Sequence, residues 1–325
     1  MRMKRVKNDG EGYYHLMSRC ALKQFLLDDP EKRVFCGMLK RIAEFSGIEV
    51  LTYCVMSNHF HLLVHVPPPQ ALATAELLRR VAVLYGAAPA NQMKARWAQY
   101  REAGHNRLLQ REQNQLRARM GDISPFMKIL KQRFTIWYRA QHPDHEGTLW
   151  QGRFTSTLVE GGGSLAAVGA YIDLNPVRAG IVSDPKDYQF SGYAAAIAGN
   201  SEAQQGICRI YDAPKSRFKK VAESYRGLLY LTGASAMNPA DDQTVLVQHG
   251  KLSLPVLLRC RVRAINSGLA IGSKTFVAGI FTRHRYAFSE RRKRAATGES
   301  LCPEWDGIQL CSVRRLRKAA ITLPT

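Results

Sequence analysis

The chain has 325 residues, 46% of them apolar, which exceeds one average domain and argues against a disordered polypeptide. Its 47 lysines and arginines against 26 acidic residues give a net charge of +21, far beyond the needs of solubility, and point to a polyanionic partner. Seven scattered cysteines without a CxxC pair exclude a disulfide framework or cysteine zinc site, no apolar run reaches the length of a membrane span, and the N-terminus "MRMKRVKNDGEGYY" lacks a signal-peptide core, so a cytoplasmic location is expected.

In chain order, "GYYHLMSRC" (12–20) predicts a first strand, and "DPEKRVFCGMLKRIAEFSG" (29–47) a helix with Val34, Met38, Ile42 and Phe45 at helical spacing, closed by Gly47. "IEVLTYCVMSNHFHLLVHV" (48–66) is rich in β-branched and aromatic residues, which predicts two strands joined around Met56 to Asn58 and stopped by three prolines. Helices follow over 71–86 and 123–142, the second with Ser124 as N-cap and Pro125 in its first turn. Between them, 87–122 is rich in Gln, Arg and Ala and reads as solvated helices inserted into the domain. A strand is expected within 147–163, then a helix over 164–176 that Pro176 ends.

Strands alternating with helices through short links predict an α+β fold over 10–198, a ferredoxin-like or RRM-like antiparallel sheet with helices. "GNSEAQQG" begins an expected linker over 199–214, and 215–325 is expected to be a mostly helical, basic module. Within it, 253–285 reads as helix, glycine-containing turn, helix, with Ser273 as a cap: a helix-turn-helix shape whose Arg283 and Arg285, with Arg291 and Arg292 in the run "RRKR", are candidate DNA contacts.

The chemistry concentrates in "SNHFHLLVHV" (57–66). Side chains at i and i+2 share a strand face, so His59 and His61 project together about 6.6 Å apart and suit one shared cation. His65 lies on the same face but about 13 Å further along, where packing or a phosphate contact is expected. In "GAYIDLNPVRAG" (169–180), Tyr171 sits on an amphipathic helix with Asn175 one turn later on the same face.

"YCVMSNHFHLLV", "LWQGRF" and "YIDLNPVRAGIV", in this order, resemble the single-tyrosine HUH transposases of the IS200 type, most closely the REP-associated tyrosine transposases. The resemblance covers about 10–195, without 87–122. It implies an HUH nuclease core in which His59 and His61 hold a divalent cation, Mg2+ or Mn2+, and Tyr171 attacks a phosphodiester of hairpin-forming single-stranded DNA to leave a 5′-phosphotyrosine. Some relatives complete the metal site with a glutamine where this chain has Asn175. Arg153 and Arg178 are candidates to hold phosphates, and Trp150 to stack on a base. Duplex contact by the C-terminal module, a monomer or a dimer, and a catalytically silent DNA-binding regulator all stay open at this point.

Overall fold

The computed structural model describes residues 5–8, 10–231, 265, 268–288, 293 and 311–314. Strand β1 (Gly12–Arg19) leads into helix α1 (Asp29–Ser46), then strands β2 (Glu49–Val55) and β3 (His59–Val66). Four helices follow: α2 (Thr74–Tyr85), α3 (Ala87–Glu102), α4 (Asn106–Arg117) and α5 (Ile123–Gln141). After strand β4 (Thr155–Val159) come α6 (Gly163–Asp173), the single turn α7 (Asn175–Arg178), α8 (Gly192–Ile197), α9 (Ser201–Ile210) and α10 (Phe218–Leu231). Strand β5 (Gly268–Gly272), helix α11 (Lys274–Arg283) and strand β6 (Cys311–Arg314) complete the described elements.

The sheet runs β2-β3-β1-β4-β5-β6. Its first four strands are antiparallel throughout, with Met17 opposite His61 and His15 opposite Leu63. This is the ferredoxin-like order in an α+β fold, with α1 and α5 on one face. Phe35 of α1 meets Phe60 at 4.6 Å between ring centroids and Phe134 of α5 at 5.2 Å, a tight aromatic contact at the centre of that layer. A second layer covers the other face, where α6 lies across β2, β3 and β4 and is itself backed by α9 and α10.

Several elements differ from the sequence reading for identifiable reasons. In α1 the buried stripe is Phe35, Leu39 and Ile42, with Val34 and Met38 only half-buried. The cap of α5 is Asp122, whose carboxylate accepts from the Ser124 N–H at 2.6 Å, and the helix therefore starts before Ser124. Pro176 does not end the tyrosine helix directly: α6 stops at Asp173 and the proline opens α7, where its missing N–H has no partner to lose. The expected linker at 199–214 contains α9, capped by Asn200 and burying Ile207, Cys208 and Ile210.

The C-terminal region is helical in α10 and α11, as expected, and also adds two strands to the sheet. Residues 268–272, inside the stretch read as helix, glycine-containing turn, helix, form β5, which pairs parallel to β4, and β6 pairs antiparallel to β5. Extended pairing satisfies their backbone groups against an edge that β4 would otherwise leave open. Ser273 does cap α11, accepting from the Phe276 N–H. Residues 253–264 of the expected helix-turn-helix, and Arg291 and Arg292, lie outside the described residues.

Candidate active site

Alternation along β3 sends His59, His61, Leu63 and His65 to one face and Phe60, Leu62, Val64 and Val66 to the other. The histidine face is not the wet one. Helix α6 covers it, and every residue from Ser164 to Asp173 is buried, so this helix is enclosed on all sides rather than amphipathic. It sets the Tyr171 ring edge-on to His61, 5.8 Å between centroids at 89°. The His59 and His61 rings stand 5.0 Å apart and near perpendicular, at 86°. His61 is 1% exposed and Tyr171 3%, whereas His59 keeps partial access to solvent. The pair is therefore open to solvent on the His59 side only in part, and the Tyr171 ring is covered.

The donor chemistry suits a divalent cation. His59 Nδ1 donates to Asn58 Oδ1 at 2.6 Å and His61 Nδ1 meets His15 Nε2 at 2.8 Å, so each ring keeps Nε2 for another partner. Burial pushes His59 down to about 4, with the Arg19 charge adding to the effect. Burial, then the neighbouring His15, His59, Arg19 and Arg178, hold His61 well below the ordinary imidazole range. Both rings are thus neutral at physiological pH and present lone pairs. Among the described residues no group of three or more His, Cys, Asp or Glu is arranged to hold a metal.

Asn175 lies directly after α6, and its Nδ2 donates to the carbonyls of Tyr171 at 3.0 Å and Ile172 at 3.2 Å, satisfying acceptors the helix end leaves open. The Arg178 guanidinium lies 4.8 Å from the centre of the Tyr171 ring, a cation against its π-face. Trp150 belongs to the opposite layer: its ring packs at 5.5 Å from Phe60 and 5.9 Å from Phe134, and its Nε1 donates to Thr135 Oγ1 at 2.9 Å. Trp150 is half-buried, and these contacts are packing. Arg153 is exposed in the loop before β4.

Two of the C-terminal arginines are described, and each has a contact of its own. Arg283 donates to Asn8 Oδ1 at 2.8 Å, and Arg285 lies 5.4 Å from the centre of the Phe281 ring. His65 is fully buried, with its Nδ1 2.8 Å from Glu49 Oε2 and its Nε2 2.6 Å from Glu11 Oε1, so both ring nitrogens already have hydrogen-bond partners. A cavity of about 620 Å³ opens between α1, β2 and α9, lined by Lys40, Glu49, Thr52 and Arg209 among others, and contains none of the histidines.

Two functional neighbours escaped the sequence reading. His15 stacks on His61 with ring centroids 5.0 Å apart, placed there by strand register rather than by any local spacing. Asp173, wholly buried two residues after Tyr171, accepts from Thr52 Oγ1 at 2.8 Å, the Tyr225 hydroxyl at 2.6 Å and the Tyr193 N–H at 3.3 Å. Burial raises its pKa to about 7 against the opposing effect of these bonds. Its partners lie on β2, α8 and α10, so one carboxyl ties the tyrosine helix to three elements. The only sequence signal for either residue was its place inside a quoted motif.

Residues 10–81 match the family model described as "Transposase IS200 like". Among solved structures, the chain is similar to one described as "Structure of the REP associates tyrosine transposase bound to a REP hairpin", with 15% identity, a TM-score of 0.40, and coverage of 61% of this chain and 87% of that one. No curated protein matches the chain.

Proposed function

We propose that this chain, which carries an IS200-like transposase sequence over residues 10–81, is a DNA transposase that nicks single-stranded DNA and transfers the cut strand. The observation that carries the reading is the meeting of Tyr171 with the His59 and His61 pair at one point of the sheet, although more than a hundred residues separate them in sequence. A divalent cation held by the two Nε2 atoms would stabilise charge developing on the scissile phosphate.

The chain's own groups then account for the rest. The Tyr171 oxygen attacks phosphorus, the bond to the 3′-oxygen breaks, and that oxygen leaves as a hydroxyl after taking a proton, with the tyrosine bonded to the 5′-phosphate. The phenol's own proton passes to the leaving 3′-oxygen through water that enters with the substrate. An ordinary phenol lies about three units above neutrality, a deficit of about 4 kcal/mol that the site must meet, and the Arg178 guanidinium stands 4.8 Å from the ring centre where it can also hold a phosphate. The covalent link preserves the bond energy for rejoining, which a simple hydrolase would discard. With +21 charges the surface favours a nucleic-acid substrate, and hairpin-forming DNA is the class we propose.

Denaturing gels of hairpin oligonucleotides with Mn2+ or Mg2+ test this directly. Wild type is expected to give a protein-DNA adduct, and Tyr171→Phe and His61→Ala to give none. Cleavage by Tyr171→Phe would remove the nucleophile. The near-complete burial of Tyr171 favours a second reading, a DNA-binding protein that no longer cuts, and tight hairpin binding without adduct under any divalent metal would select it.

A further inference from the structure

His15 Nε2 lies 2.8 Å from His61 Nδ1, while His15 Nδ1 lies 3.2 Å from the backbone carbonyl oxygen of Ile265. A carbonyl only accepts, so this second bond requires the proton on His15 Nδ1. A neutral His15 then has a bare Nε2, which only accepts, so His61 must donate from Nδ1. The remaining nitrogen of His61, Nε2, is left as a lone pair. We propose that His15 is a positioning residue for the candidate metal site, and that the Ile265 carbonyl, acting through it, fixes His61 in the tautomer that offers Nε2 to a cation. The inference rests on the proposed metal role of His61.

The rest of the neighbourhood supports a fixed arrangement. His15 is 2% exposed, so water does not compete for either ring nitrogen. Its ring lies nearly parallel to His61, at 15°, and edge-on to Tyr171 at 6.2 Å, so it touches both members of the candidate centre. Antiparallel register makes His15 a diagonal cross-strand neighbour of His61, a separation that two aromatic side chains can bridge. The Ile265 oxygen also receives Thr157 Oγ1 at 3.3 Å from β4, which anchors the acceptor from a second strand. Ile265 stands just before β5, so a segment far beyond the tyrosine motif contributes the outermost link of the site. A ligating imidazole whose other nitrogen is held by an outer partner is the usual way a protein sets tautomer and ring orientation.

The test uses the full chain and three readouts: Mn2+ affinity by electron paramagnetic resonance titration, thermal unfolding, and histidine nitrogen NMR. His15→Leu is expected to lower Mn2+ affinity about 10- to 100-fold with hairpin DNA affinity unchanged. His15→Gln, whose side-chain oxygen can accept from His61 Nδ1, is expected to restore most of that loss. A purely structural His15 would instead lower the unfolding temperature of both variants together and leave Mn2+ affinity of the folded fraction unchanged, which overturns the proposal.

Should His15→Leu fail to fold, long-range nitrogen-proton spectra of wild type decide the matter without a variant. Both His15 and His61 are expected in the Nδ1–H form, and an Nε2–H form at His61 overturns the relay. Nicking does not enter these readouts. A protein that binds Mn2+ as described but forms no DNA adduct would defeat the proposed function and leave this inference standing.

Discussion

Burial keeps His15, His59 and His61 neutral and keeps Asp173 protonated well above the usual carboxylate range, so acid acts on the fold with opposite signs at these groups. An unfolded histidine takes up a proton near 6.5, whereas His15 and His59 resist until about 4, so their contribution is present above 6.5 and lost as pH falls through that window. Asp173 does the reverse: its unfolded pKa is 3.8 and its native one about 7, so it favours the native state at low pH and loses that contribution as pH rises between them. With three imidazoles opposing one carboxyl, the urea midpoint is expected to fall on acidification from pH 6.5 to 4, and to fall more steeply in Asp173→Asn. At neutral pH, Asp173→Ala leaves the Thr52 and Tyr225 hydroxyls and the Tyr193 N–H without their acceptor, and a loss of about 3 kcal/mol is expected by urea denaturation. Asparagine keeps an acceptor in place, so Asp173→Asn is expected to cost less there.

Among the elements, β2 and α6 define how the site is held. β2 is an outer strand of the sheet, and α8 and α9 protect it by approaching at glycines. A methyl group on Gly206 would meet the Leu51 carbonyl oxygen at 2.4 Å and that of Val50 at 2.7 Å, backbone atoms that cannot swing aside. Gly206→Ala is therefore expected to push α9 off the strand at a cost of about 2 kcal/mol, with light scattering on heating rising as the edge is uncovered. Helix α6 depends on the same construction, because α9 and α10 back it and Tyr225 of α10 closes on Asp173. The segment first read as a linker thus helps to hold the tyrosine.

Across the whole molecule the excess of 21 positive charges predicts binding governed by phosphate contacts. For a single strand each contact contributes about −0.7 to the slope of log affinity against log salt, so six contacts would give a slope of about −4. Fluorescence anisotropy of a labelled hairpin across a salt series checks this, and a flat response would mean that the charge serves something other than DNA. The sheet also joins distant parts of the chain: β5 and β6 extend it beyond β4, and the Ile265 carbonyl reaches His15. Residues near the C-terminus accordingly belong to the architecture around the site as well as to any separate DNA contact.

The sequence by itself determined the succession of strands and helices in the core, the shared face of His59 and His61, the helix carrying Tyr171, and the excess of positive charge. Each of these follows from local periodicity, turn residues or summed charge, which depend on near neighbours or on composition alone. Only the tertiary structure decided that His15 stands against His61, that Asp173 clamps α6, that Trp150 faces the other layer, and that 201–210 and 268–272 are core elements. Those outcomes depend on cross-strand register and on which layer closes over which face. Register and layering are set by contacts between segments far apart in the chain, and no local spacing encodes them.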